Sequence, residues 1–225
     1  MSAQVFSRDS EYESKKASLE RGIFGVHSSP ESRIITDHVD LLKKINACRE
    51  LGQSIVVTSG SFDLTHIGHA RYLEAAKSYG DILVVGVDSD EKVRERKGES
   101  RPVVPDDERM EMLANLRPVD LVTIKHLNEP KWELIKNISP DTLIVTRETY
   151  DEATLQELTE FCGQVICLDP QAATSASAKV RLVEVGWGRK IREPIESLLI
   201  EEGVSEEVRR KVGKILTREY EPEQR

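Results

Sequence analysis

The chain has 225 residues, 38% apolar and 32% charged, with a formal net charge of −8; that suits one domain with extensions and argues against nonspecific nucleic-acid binding. Three cysteines (Cys48, Cys162, Cys167) lack metal-ligand spacing and fit a reduced cytoplasmic setting, the last two packing as small apolar residues. Met1 to Glu11 carries no apolar leader, and no segment is apolar for long enough to span a bilayer, so a soluble protein without a membrane partner is expected.

Residues 1–35 are polar and mixed in charge, and are expected to form an arm, with Gly22-Ile-Phe-Gly-Val as a docking point. From about Thr36, the positions Val39, Leu41, Leu42, Ile45 and Cys48 repeat with helical period, and Leu51-Gly52 is the natural stop. Five apolar runs of strand length follow: Ile55 to Thr58, Ile82 to Val87, Leu121 to Ile124, Thr142 to Thr146 and Val165 to Leu168. Helix-like segments separate them near 68–79, 106–116, 130–137 and 151–162. Nearly continuous apolar strands alternating with helices predict an α/β fold, a doubly wound parallel five-stranded sheet over residues 36–185. Past Gly186, segments starting at Pro194 and Ser205 predict a helical C-terminal extension over 186–225, serving dimerisation or a lid; a homodimer is expected.

The junction after the first strand, Gly60-Ser-Phe-Asp-Leu-Thr-His66-Ile-Gly68-His69, carries the chemistry. A helix N-terminus has N–H groups without intrahelical partners and a dipole that favours negative charge, so it binds phosphate readily. His66 and His69 lie one turn apart and can face one anion, while Gly68 leaves the backbone open to it.

A Gly-x-Gly-x-x-Gly turn and a P-loop are both missing, which speaks against a dinucleotide oxidoreductase and a P-loop kinase. A second basic segment, Arg94 to Pro102, follows the strand that ends in Gly86-Val-Asp88-Ser-Asp90, so Lys97 and Arg101 can face the same phosphates. Thr146 and Arg147 end the fourth strand on the ligand side, and Thr174, Ser175 and Ser177 place hydroxyls before a helix, either as caps or as phosphate donors. Arg109 alone reads as a solvent-facing arginine, and His27, His38 and His126 read as structural or exposed.

From about Ser32 to Val185 the chain resembles the cytidylyltransferase-like nucleotidyltransferases, above all the bacterial heptose 1-phosphate adenylyltransferases and more distantly glycerol-3-phosphate cytidylyltransferase. The matching pieces are Gly60 to His69, Arg71-Tyr-Leu-Glu-Ala-Ala-Lys, Leu83 to Asp90, Lys97-Gly-Glu-Ser-Arg-Pro102 and Glu108-Arg-Met. The resemblance implies a Rossmann-like fold and transfer of a nucleotidyl group from a nucleoside triphosphate (ATP favoured, CTP open) to a phosphorylated sugar or polyol, with pyrophosphate released. It implies catalytic roles for His66, His69 and Lys97. Gly60, Ser61, Phe62, Gly68, Arg109, Thr146, Arg147, Thr174, Ser175 and Ser177 are expected at the nucleotide, and Asp63, Asp88 and Arg101 at the acceptor. Mg²⁺ is expected as a cofactor held mainly by substrate phosphates, so no protein metal site is expected. Thr146-Arg147-Glu148 and Ser175-Ala176-Ser177 depart from the heptose-type pattern, which leaves three alternatives open: a cofactor-precursor acceptor, a lipid-headgroup acceptor, and a nucleotide-binding regulator without turnover. A class I aminoacyl-tRNA synthetase fragment lacks its Lys-Met-Ser-Lys-Ser loop here.

Overall fold

The computed structural model describes residues 29–146, 150–169, 171 and 190–216. The chain divides into two compact units that meet between Ala172 and Ala173. In the first, α1 (Pro30–Arg33) and α2 (His38–Glu50) lead into β1 (Ile55–Gly60), α3 (Ile67–Lys77) and β2 (Ile82–Asp88). Then come α4 (Asp90–Lys97), α5 (Asp106–Ala114), β3 (Leu121–Lys125), α6 (Glu133–Ile138), β4 (Thr142–Thr146), α7 (Glu152–Leu158) and β5 (Gln164–Leu168).

All pairings are parallel, in the order β3-β2-β1-β4-β5. The strands are continuous apolar runs because helices cover both faces. On one face Ile55, Val57, Ile82, Val84, Leu121 and Leu143 pack with Leu41 and Ile45 of α2 and with Leu134 and Ile138 of α6. On the other, Val56, Leu83, Val85, Val87 and Ile144 pack with Leu73 of α3 and Leu113 of α5. Strand order reverses direction between β1 and β4, and crevices at such switch points, beyond the carboxyl ends of the strands, receive ligands. The predicted doubly wound sheet is therefore present, as is a helical C-terminal part.

Two local features differ from the sequence reading. The second basic segment, for which no helix was expected, is half helical: Ser89 Oγ accepts the Lys92 N–H at 3.3 Å to start α4, and Gly98, at φ +92°, ends it. Val93 is its one buried residue, so there was no apolar periodicity to read. Within the expected arm, Ile34 forms a parallel bridge to Val122 of β3, and Ile35 N–H donates to the Val122 carbonyl at 2.8 Å. Cys48 is buried in the core, and Cys162 and Cys167 pack half-buried against it.

The second unit holds α8 (residues 190–201) and α9 (Glu206–Leu216). A cleft of about 260 Å³ there is lined by Ile195, Leu199, Val212 and Leu216 among charged side chains. No helix among the described residues is long and apolar enough to cross a membrane.

Candidate active site

His66 is the N-cap of α3. Its Nδ1 accepts the Gly68 N–H at 3.0 Å, and the Nδ1 of His69 reaches back to accept the His66 N–H at 3.2 Å. Histidine thus plays both parts of a capping box, a task that Ser or Thr and Glu usually share. The bonds set the chemistry of the rings. With Nδ1 accepting, a neutral imidazole carries its proton on Nε2, so both rings are Nε2–H donors. The ring centroids lie 4.3 Å apart, and Phe62 packs edge-on against His69 at 5.7 Å.

The loop before the helix is held in an unusual backbone. Phe62 and Leu64 sit at φ 48° and 51°, in the left-handed region, which costs on the order of 1–3 kcal/mol each and occurs most often at functional sites. Buried Asp63 steadies this loop: its Oδ1 accepts the N–H groups of Val103 and Val104, both at 3.1 Å, and its Oδ2 lies 2.8 Å from Arg101. Asp63 and Arg101, expected at the acceptor, thus brace one loop against another.

Lys97, the last residue of α4, donates to Ser61 Oγ at 2.8 Å, so the second basic segment does meet the phosphate loop. Loss of solvent around its ammonium, followed by the positive charges of Arg96 and Arg101, pulls its pKa below the ordinary lysine value.

Arg109 departs from its reading as a solvent-facing arginine. It is 1% exposed. Its Nε donates to the Val104 carbonyl at 2.9 Å, one terminal nitrogen to the carbonyls of Ser61 and Asp88 (2.9 Å to the latter), and the other to Asp90 at 2.8 Å. One guanidinium thus ties together the ends of β1 and β2 and the loop entering α5. Burial makes it a positioning group, whose planar fork suits three directions at once.

Asp88 is 1% exposed and lies 3.0 Å from Arg96 and 3.2 Å from Lys125. Burial pushes its pKa up, but Lys125, Arg96 and Lys92 outweigh it and hold the carboxyl below the ordinary range. The sequence reading missed Arg96, Lys125 and Tyr150. Lys125 ends β3 and also donates to Ser59 Oγ at 3.1 Å, and Tyr150 lies close to Ser59. The signal available for Lys125 was its place at a strand's carboxyl end. Thr146 ends β4, half-buried. Arg147, Thr174, Ser175 and Ser177 lie outside the described residues. His38 is structural, its Nε2 being 3.0 Å from the Ile124 carbonyl.

Asp63, Asp88 and Asp90 are committed to protein cations, and no cluster of three or more His, Cys, Asp or Glu suited to a metal occurs among the described residues.

The chain is similar to the bifunctional protein HldE of Sulfurimonas denitrificans, 40% identical over 160 residues that make up 71% of this chain and 31% of that protein. It is 42% identical to the HldE of Aliarcobacter butzleri over 119 residues, 53% of this chain and 25% of the relative. This chain thus spans about a quarter to a third of the length of these curated relatives. Among solved structures, a lipopolysaccharide core biosynthesis protein from Thermoplasma volcanium is 26% identical, covering 53% of this chain and 98% of its own, with a TM-score of 0.48. The cytidylyltransferase-like family matches residues 57–203, from β1 through the whole sheet, and the chain belongs to that family.

Proposed function

We propose that this protein is a nucleotidyltransferase that moves a nucleoside monophosphate unit from a nucleoside triphosphate, ATP in preference to CTP, onto the phosphate of a phosphorylated sugar or polyol. The observation that carries the reading is the pair of Nε2–H donors fixed by the capping bonds of His66 and His69 at the start of α3. Membership in the cytidylyltransferase-like family and the likeness to HldE proteins support it.

An acceptor phosphate monoester is already ionised at neutral pH, so no strong base is required. One of its oxygens forms a bond to the α-phosphorus, the bond from that phosphorus to the α,β-bridging oxygen breaks, and pyrophosphate leaves with the electron pair. Catalysis then consists of positioning and of stabilising charge. The Nε2–H groups of His66 and His69 donate to oxygens of the α- and β-phosphates, helped by the first N–H groups of α3. Lys97 neutralises charge growing at the α-phosphoryl group. Ser61 holds the lysine ammonium in the meantime. Mg²⁺, held by the phosphates, would offset part of the charge of the triphosphate.

The test is pyrophosphate release with Mg²⁺, crossing ATP, CTP, GTP and UTP against sugar, polyol and cofactor-precursor phosphates. The reading expects release that needs both substrates, with a nucleoside diphosphate sugar or polyol as product. Tight nucleotide binding without release from any pair would favour a regulator instead.

A further inference from the structure

Lys125 reaches its place by an unusual route. It stands on β3, the edge strand, yet its ammonium lies 3.1 Å from Ser59 of β1, with the whole of β2 between them. What lets it cross is Gly86. A Cβ on that residue would sit 2.9 Å from Lys125 Cδ, 2.6 Å from Leu134 Cδ2 and 3.3 Å from Ser59 Cβ. The bare backbone of β2 is thus the floor over which the lysine stem runs. Ser59, Gly86, Asp88 and Lys125 alternate in phase with Val57, Val84 and Leu121, which puts them on the α2 and α6 face. The histidine helix α3 covers the opposite face. The two regions adjoin all the same, because one Arg109 nitrogen bonds the carbonyls of both Ser61 and Asp88.

Among the described residues, charge in this corner is net positive. Asp88 needs one cation and already has Arg96 at 3.0 Å, so Lys125 at 3.2 Å is in excess. Lys92 adds a third positive charge; burial and then the proximity of Lys125 depress its pKa, while Asp88 and Glu129 only partly oppose them. Lys125 retains 15% exposure, Ser59 supplies a hydroxyl 3.1 Å from its ammonium, and Tyr150 lies in the same corner near Ser59, Asp88 and Arg96.

We propose that Lys125, carried across Gly86 and flanked by Arg96, Ser59 and Tyr150, forms an anion subsite on the face of the sheet opposite the histidines, and that it takes a carboxylate or second phosphate borne by the acceptor in addition to its attacking phosphate. This rests on the transfer reading above for the identity of the acceptor, and it narrows the acceptor class from sugar phosphates whose one anionic group is the attacking phosphate to those that bear a second anionic group.

The experiment compares matched probes in the intact chain: glucose 1-phosphate, glucuronic acid 1-phosphate and glucose 1,6-bisphosphate. Binding is read from the fluorescence of Trp132, whose ring lies 5.6 Å from Tyr150, in a Trp187→Phe background. Pyrophosphate release is read in parallel. A charge-assisted bond predicts that one or both probes with a second anionic group bind about 10- to 100-fold more tightly than glucose 1-phosphate. Whichever probe gains tells carboxylate from phosphate. Lys125→Met should erase the preference, Lys125→Arg should keep it and Gly86→Ala should weaken it. Equal binding of all three probes by the unmodified protein overturns the subsite and needs no variant to say so; so does a preference that survives in folded Lys125→Met. Preference without any pyrophosphate release sinks the transfer reading and leaves the subsite standing, whereas release without preference does the reverse.

Discussion

The Nδ1 of His69 accepts the backbone N–H of His66 across 3.2 Å, so one imidazole finishes a helix cap and, when neutral, carries its proton on Nε2. The two jobs separate by substitution. Asparagine places its side-chain oxygen near the Nδ1 position and has no group at Nε2. His69→Asn should therefore keep the cap and lose about 10²–10³-fold in kcat. His69→Ala should lose the same activity and in addition about 1 kcal/mol of stability. Thermal melts run beside steady-state kinetics on both variants check this, and equal stability of the two would show that the cap contributes nothing.

Lys97 should write itself into the pH profile. Its pKa is lowered from 10.5, so in the free protein its charge disappears at a lower pH than that of an ordinary lysine. The alkaline limb of kcat/KM, which reports the free enzyme, should therefore fall below pH 10.5. Bound polyphosphate favours the charged amine, so the corresponding limb of kcat should lie higher. Lys97→Arg should remove both limbs, because guanidinium stays charged throughout. Profiles that coincide for kcat and kcat/KM would place the titrating group elsewhere.

Arg109 reaches its four partners from a fully buried position, so shortening it leaves carbonyls and Asp90 without donors. Arg109→Gln should cost about 3–5 kcal/mol, as removal of one buried ionic partner does. Arg109→Lys should fold better than this and still lose activity, since an ammonium cannot serve the fork geometry. Denaturant titrations and kinetics on both variants measure the split. Wild-type activity in a folded Arg109→Lys would show that loop positioning is unimportant.

Asp88 links the polar corner to acid stability. Its folded pKa lies below the usual carboxylate value, so its contribution is present above the unfolded pKa and is lost as pH falls through the folded one. The stability gap between the unmodified protein and Asp88→Asn should be widest near neutrality and should close below about pH 4. Urea titrations from pH 7 to pH 3 test the sign. A gap that widens in acid would mean that Asp88 is held protonated.

The sheet was legible because each strand is a continuous apolar run, a pattern that burial on both faces imposes. The histidine turn was legible because its residue types and its strand-to-helix position coincide in sequence. What escaped notice depends on side chains that cross the fold. Nothing at position 125 reveals that its stem lies over Gly86, and nothing in Asp-Asp-Glu-Arg109 reveals that the arginine turns inward to Ser61 and Asp88. The helix α4 escaped because its outer face is almost wholly charged, leaving only its Ser89 cap and Val93 to mark it.

In nucleotidyl transfer the α-phosphoryl group moves with its nucleoside and the other two phosphates leave together. The most direct measurement follows the label from [α-³²P]- and [γ-³²P]-triphosphate through one turnover with the best acceptor. Nucleotidyl transfer puts the α-label in the acceptor product and the γ-label in pyrophosphate, both lost in His69→Asn. γ-Label on the acceptor, or α-label left in a free nucleoside diphosphate, would contradict it.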